Sequence, residues 1–111
     1  MIEPTIIEYL IDELGVPVSG AVPVDPPGTF VTVEKTGGRC VNRISASTLA
    51  IQSWAPSIAE AAALNDRVKT AMEAVVRLTN ISSCELNTDY NYTDTTRNHC
   101  RYQAIFDVVH Y

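Results

Sequence analysis

The chain is poor in the residues that most often carry chemistry. It has two histidines and three cysteines, and neither type falls into a metal-ligand spacing such as CxxC or HxxxH. No P-loop, GxGxxG, GxSxG or HExxH occurs, which removes the common phosphate, dinucleotide, hydrolase and metalloprotease signatures. Base is also scarce: eight Lys and Arg, scattered along the chain, stand against 13 Asp and Glu, for a net charge of −5. That balance argues against a duplex-binding surface, where phosphates need clustered cations. No run of 18 apolar residues exists, so no helix is expected to cross a membrane. The start, MIEPTIIEYL, has acids where a signal peptide needs bases, and a cytosolic origin is expected.

What the chain does have is a strand that feeds a long amphipathic helix, residues 48–78. Leu49, Ile51 and Ser53 alternate with Thr48, Ala50, Gln52 and Trp54. Pro56 ends the strand, and Ser57 with Glu60 makes a capping box. Ala61, Leu64, Val68, Ala71, Val75 and Leu78 then recur at three and four spacing, so the pattern predicts one helix through Leu78. Asp66, Arg67, Lys69, Glu73 and Arg77 take its wetter positions.

At 111 residues the chain is one domain, 1–111. Residues 4–14 predict a short helix with Ile7, Leu10, Ile11 and Leu14 as its apolar stripe, Ile6 at the edge and Gly15 as its stop. Its acids, Glu3, Glu8, Asp12 and Glu13, read as a solvated face, or more sharply as a patch for a basic partner. Residues 16–28 hold four prolines and predict an extended connector along a sheet edge. Strands are expected over 29–36 and 46–55, pairing as an antiparallel hairpin whose long, mobile end spans Thr36 to Arg43, with Thr36-Gly37-Gly38 as the turn. Ile81 to Tyr92 and Arg101 to Tyr111 are two more strands, joined by the polar loop TDTTRN. Both faces of 101–111 hold apolar groups, so it is expected inside the sheet. The fold class is therefore α+β: a mostly antiparallel sheet with the long helix on one face and a short N-terminal helix, in the order α-β-β-α-β-β.

Candidate chemistry is weak in each case. Cys40, Cys84 and Cys100 read as small, reduced, half-buried hydrophobes, with no cofactor or metal implied. A metal corner of His99, Cys100 and Cys84, or a thiol paired with His110, is far less favoured. Trp54 is a binding hot spot or, twice as readily, a plug at the strand–helix corner.

The segments FVTVEKTGG (Phe30–Gly38), IQSWA (Ile51–Ala55), the Ala61, Leu64, Val68 rhythm and RYQAIFDV (Arg101–Val108) together resemble the small tail-terminator proteins of long-tailed phages and prophages. These are also called tail-completion or tail-to-head joining proteins. The resemblance covers residues 16–111 in order, on loose structural motifs. It implies an α+β fold and no enzymatic activity. It also implies a virion protein, assembled in the host cytoplasm, that forms a six-fold ring on the finished tail tube. The ring would touch the tube protein and a head-side connector or stopper while the genome passes through its lumen. Subunit or tube contacts are expected at Thr36, Gly37, Gly38, Arg39, Val41 and Arg43, with Asp12 and Glu13 on the first helix of a neighbouring subunit offering opposite charge. Another neck or head-completion protein, a small binding module and a small thiol enzyme are the competing classes.

Overall fold

A computed structural model describes residues 2–24, 28–93 and 99–111. Helix α1 spans Glu3–Leu14 and strand β1 Val18–Ser19; β2 is Phe30–Val41 and β3 Ile44–Ala55. Helix α2 spans Ile58–Glu73, a 3₁₀ turn covers Val75–Arg77, and β4 (Ile81–Asn91) and β5 (Cys100–His110) complete the chain. The strands form one five-stranded sheet in the order β1-β2-β3-β5-β4. β1 runs parallel to β2, and every other pairing is antiparallel. The architecture is thus α+β as expected. The proline-rich connector adds a strand the expected order lacked, since Val18 and Ser19 lie along the sheet edge beside Val31 and Thr32.

Both helices pack on one face of the sheet. Val31 and Val33 of β2, Leu49 and Ile51 of β3, and Ala104, Phe106 and Val108 of β5 meet Leu64, Val68, Met72 and Val75 there. Cross-strand partners share a face, so the opposite face carries Phe30, Thr32, Trp54, Gln52, Ala50, Gln103, Ile105 and Asp107. β5 lies between β3 and β4, which explains apolar groups on both its sides.

α2 begins where its cap was read: the Ser57 hydroxyl accepts the Glu60 N–H at 3.2 Å. It ends earlier than expected. The regular helix has 16 residues and stops at the Ala74 cap, after which a single 3₁₀ turn leads to an extended Leu78. The apolar spacing runs on because Val75 still fills the core at 0% exposure, although the backbone is already turning into β4.

α1 is also rotated relative to the expected stripe. Ile6, Leu10 and Leu14 are buried with Ile2 and Tyr9, while Ile11 is 44% exposed. The Tyr9 hydroxyl reaches across to the Ala71 carbonyl at 2.6 Å and locks α1 to α2. Gly15 closes α1 at φ +68°, its N–H donating to Ile11.

His110 sits in the core-facing row of β5 and shares a 2.8 Å hydrogen bond with the Ser47 hydroxyl. Burial, helped by the Lys35 charge, lowers its pKa below the ordinary 6.5. The unfolded chain therefore takes up a proton that the native state resists. The corresponding stability is full above pH 6.5 and is lost as pH falls from there through the native-state value. Thermal melts at pH 7.5 and 5.5 should show a larger acid-side drop for the wild type than for His110→Gln; equal drops would remove His110 from the account.

Candidate assembly surface

The surface that the sequence singled out is the far half of the β2–β3 hairpin. Its turn is not at Gly37-Gly38. Those glycines lie in β2, paired with Thr48 and Ser47, and a bulge between Lys35 and Gly37 takes up Thr36. A Cβ on Gly38 would stand 2.8 Å from the Ala46 carbonyl oxygen, so this glycine permits close strand approach rather than a turn. The reversal is made by Asn42 and Arg43, at φ +52° and +67°, between the paired Val41 and Ile44. Two consecutive positive φ values are those of a two-residue primed hairpin turn. Asn tolerates this conformation, whereas Arg carries a left-handed cost of about 1 kcal/mol. Arg43→Gly is expected to raise the denaturation midpoint modestly; a loss of stability would mean the Arg43 side chain holds something in place.

Thr36, Gly37, Gly38, Arg39, Val41 and Arg43 thus lie on one paired arm, not on a loose end. Every residue from Glu34 to Ile44 is exposed. β1 covers the outer edge of β2 only at Val31 and Thr32, and among the described residues nothing pairs with the rest. Val41 and Ile44 are 61% and 45% exposed, an apolar pair at the arm's end.

The acidic candidates lie elsewhere, on α1. Glu13 is already engaged within the subunit by Arg77, whose guanidinium also lies 5.6 Å from the Tyr9 ring centroid. Asp12 is exposed. The structure does not bring the acids and the arm together within one subunit.

At the other end of the sheet, the face without helices carries a ladder that the sequence reading did not anticipate. Phe30 stacks on Trp54 at 5.3 Å and 9° between ring planes, and His99 meets Phe30 edge-on. The Arg101 guanidinium lies between the Trp54 and Tyr92 rings, 4.7 and 4.4 Å from their centroids, and its Nε donates to the Tyr92 carbonyl. Beside this stack, Tyr90, Gln103, Gln52 and Thr32 are hydrogen-bonded in series across four strands. The ladder arises because Phe30, Trp54 and Arg101 are successive cross-strand neighbours. Trp54 is 1% exposed, which makes it a plug and not a contact point for a partner. The loop residues 94–98, most of TDTTRN, lie outside the described residues.

The thiols are dispersed. Cys84 pairs with Val108 and Cys100 with Ala55, eight residues apart along β5, or roughly 26 Å. The corner of His99, Cys100 and Cys84 therefore does not form. Burial pushes the Cys84 thiol up to about 11, helped by the Asp107 and Glu85 carboxylates, so it stays protonated at neutral pH. His110 is held by Ser47, and Cys40 is exposed on the arm. Among the described residues no group of three His, Cys, Asp or Glu could hold a metal ion.

Fold and surface together define a small α+β sheet protein with one solvent-exposed arm and with the outer edges of β4 and of β2 beyond Thr32 unpaired among the described residues. No known family and no curated protein matches the sequence. Among solved structures, the fold is similar to that of a chain in a structure described as the virion of a native gene transfer agent particle, with a TM-score of 0.60. The sequences are 15% identical, over 91% of this chain and 83% of that one, so the likeness is one of fold.

Proposed function

We propose that the chain is a structural protein of a phage-like virion, and within that class a tail-terminator protein that forms a ring on the finished tail tube. The observation that carries the reading is the exposed arm, residues 34–44, on a fold similar to one found in a gene transfer agent virion. A strand with both faces wet and its edge open is poorly suited to an isolated subunit, because unpaired edges invite pairing and are normally short or covered. In an assembly the same feature becomes contact area. The ring joins the tube protein on one side and a head-side connector or stopper on the other, and it catalyses no reaction. Net negative charge suits a lumen through which DNA must slide without sticking, since like charge disfavours phosphate contact.

The test is mass measurement with electron microscopy of the purified protein, alone and mixed with tail tubes. A closed ring, free or seated on one end of the tube, is expected. A protein that stays monomeric and binds neither tube ends nor neck components would overturn the reading, and binding to the head-side connector alone would reassign it to another neck position.

A further inference from the structure

We infer that the subunits join by sheet extension: the free edge of β2 in one copy pairs antiparallel with the outer edge of β4 in the next. This deepens the ring reading by naming its contact. β1 covers β2 only at Val31 and Thr32, so from Val33 on β2 forms one long edge of the sheet and β4 forms the other, and both are open among the described residues. The alternating antiparallel pairings make β4 run opposite to β2. Two copies placed side by side with their helices on the same face therefore meet with antiparallel edges, as a continuous ladder requires. Such a contact is heterologous and closes into a ring when the rotation per subunit allows it.

The backbone groups agree in register. The Val31 N–H donates outward to Pro17, which makes Val33 and Lys35 outward-pointing as well. Past the bulge, the pairing with β3 leaves Gly38 and Cys40 pointing out. On β4 the Tyr92 N–H donates inward to Arg101, so Asn91 and Asp89 point out, and past the second bulge Leu86 and Cys84 do so too. A single register then pairs Val33 with Asn91, Lys35 with Asp89, Gly38 with Leu86 and Cys40 with Cys84. The bulges at Thr36 and Asn87 fall within one residue of each other, Thr36 facing Thr88.

Charge selects the same register. The arm and its tip carry Lys35, Arg39 and Arg43 against Glu34, whereas β4 carries Glu85 and Asp89 and no base. Lys35 and Asp89 both lie on the helix side, and Arg39 and Glu85 both lie on the open side, so these two basic residues each meet an acid, while Arg43 at the tip falls opposite Ile81. Asp89 already takes Lys69 at 2.9 Å, so Lys35 would join an existing pair. Glu85 replaces Asp12 and Glu13 as the acid facing the arm.

In this register Arg39 and Glu85 form a non-hydrogen-bonded pair, with Cα atoms about 4.5 Å apart. That separation is inside the range a disulfide spans. Arg39→Cys with Glu85→Cys, in a chain whose native cysteines are serine, should give a ladder of covalent oligomers ending at the ring size after copper–phenanthroline oxidation. Neither single cysteine should go beyond a dimer. Independently, with native cysteines retained, Arg39→Glu and Glu85→Arg should each weaken self-association roughly tenfold, and the double reversal should restore it. A ring that forms normally, yet gives no ladder and ignores both reversals, overturns the edge contact and leaves the ring reading standing. A wild-type chain that assembles neither alone nor on tail tubes removes both.

Discussion

Trp54→Ala is expected to cost about 4 kcal/mol, a large part of the 5–15 kcal/mol that holds a domain of this size. The side chain is 1% exposed, its ring is covered by Phe30 and Arg101, and its Nε1–H donates to the Thr32 hydroxyl at 3.3 Å. Truncation therefore opens a cavity between three strands, leaves the Phe30 face without its stacking partner and removes a cation–π contact worth about 0.5–1 kcal/mol or more. Trp54→Phe keeps a ring in place but drops the Thr32 bond, so its cost should be roughly a third as large. Urea unfolding followed by circular dichroism reads both variants without relying on tryptophan emission. A loss below about 1 kcal/mol for the alanine variant would mean the site collapses without strain, against the close packing seen around the ring.

The second large effect is a contrast between neighbours. Leu10→Ala should destabilise by about 2–5 kcal/mol, whereas Ile11→Ala should cost under about 1 kcal/mol. Leu10 is 0% exposed in the layer between α1 and the sheet, and Ile11 is 44% exposed. A 12-residue helix is marginal on its own, so α1 depends on this anchoring for its existence. Equal costs for the two variants would restore the apolar stripe of Ile7, Leu10, Ile11 and Leu14 and rotate α1 from its observed seat.

That contrast shows where one-dimensional pattern loses information. On α1 nearly every apolar position from Ile2 to Leu14 can be assigned to a stripe, because Ile6, Ile7, Leu10 and Ile11 satisfy two overlapping sets of three and four spacing. The choice is made by what α1 packs against: the Tyr9 hydroxyl finds the Ala71 carbonyl only when Ile6 and Leu10 point inward. In the hairpin, Gly37-Gly38 is a strong local turn signal, and it is overruled by the pairing of β2 with β3 through to Val41. Continuing the ladder satisfies backbone groups that a turn there would leave open, and at Gly38 the Ala46 carbonyl leaves no room for a Cβ.

Elements whose cause is local were legible from the residues alone. The Ser57 cap, the Gly15 stop, the two-residue period of β3 and β5, and the exclusion of the proline-bearing residues 16–24 from the sheet's interior all follow from donors, dihedrals and spacing within a few residues. Three features were set by long-range packing: which strands end the sheet, which side chains line up across it, and where the hairpin turns. Each depends on partners from distant parts of the chain. The aromatic ladder needs Phe30, Trp54 and Arg101 from three strands, and β2 and β4 run in opposite directions only because β5 inserts between β3 and β4. A sequence records side chains along one line, whereas an edge is defined by the strand that is absent beside it.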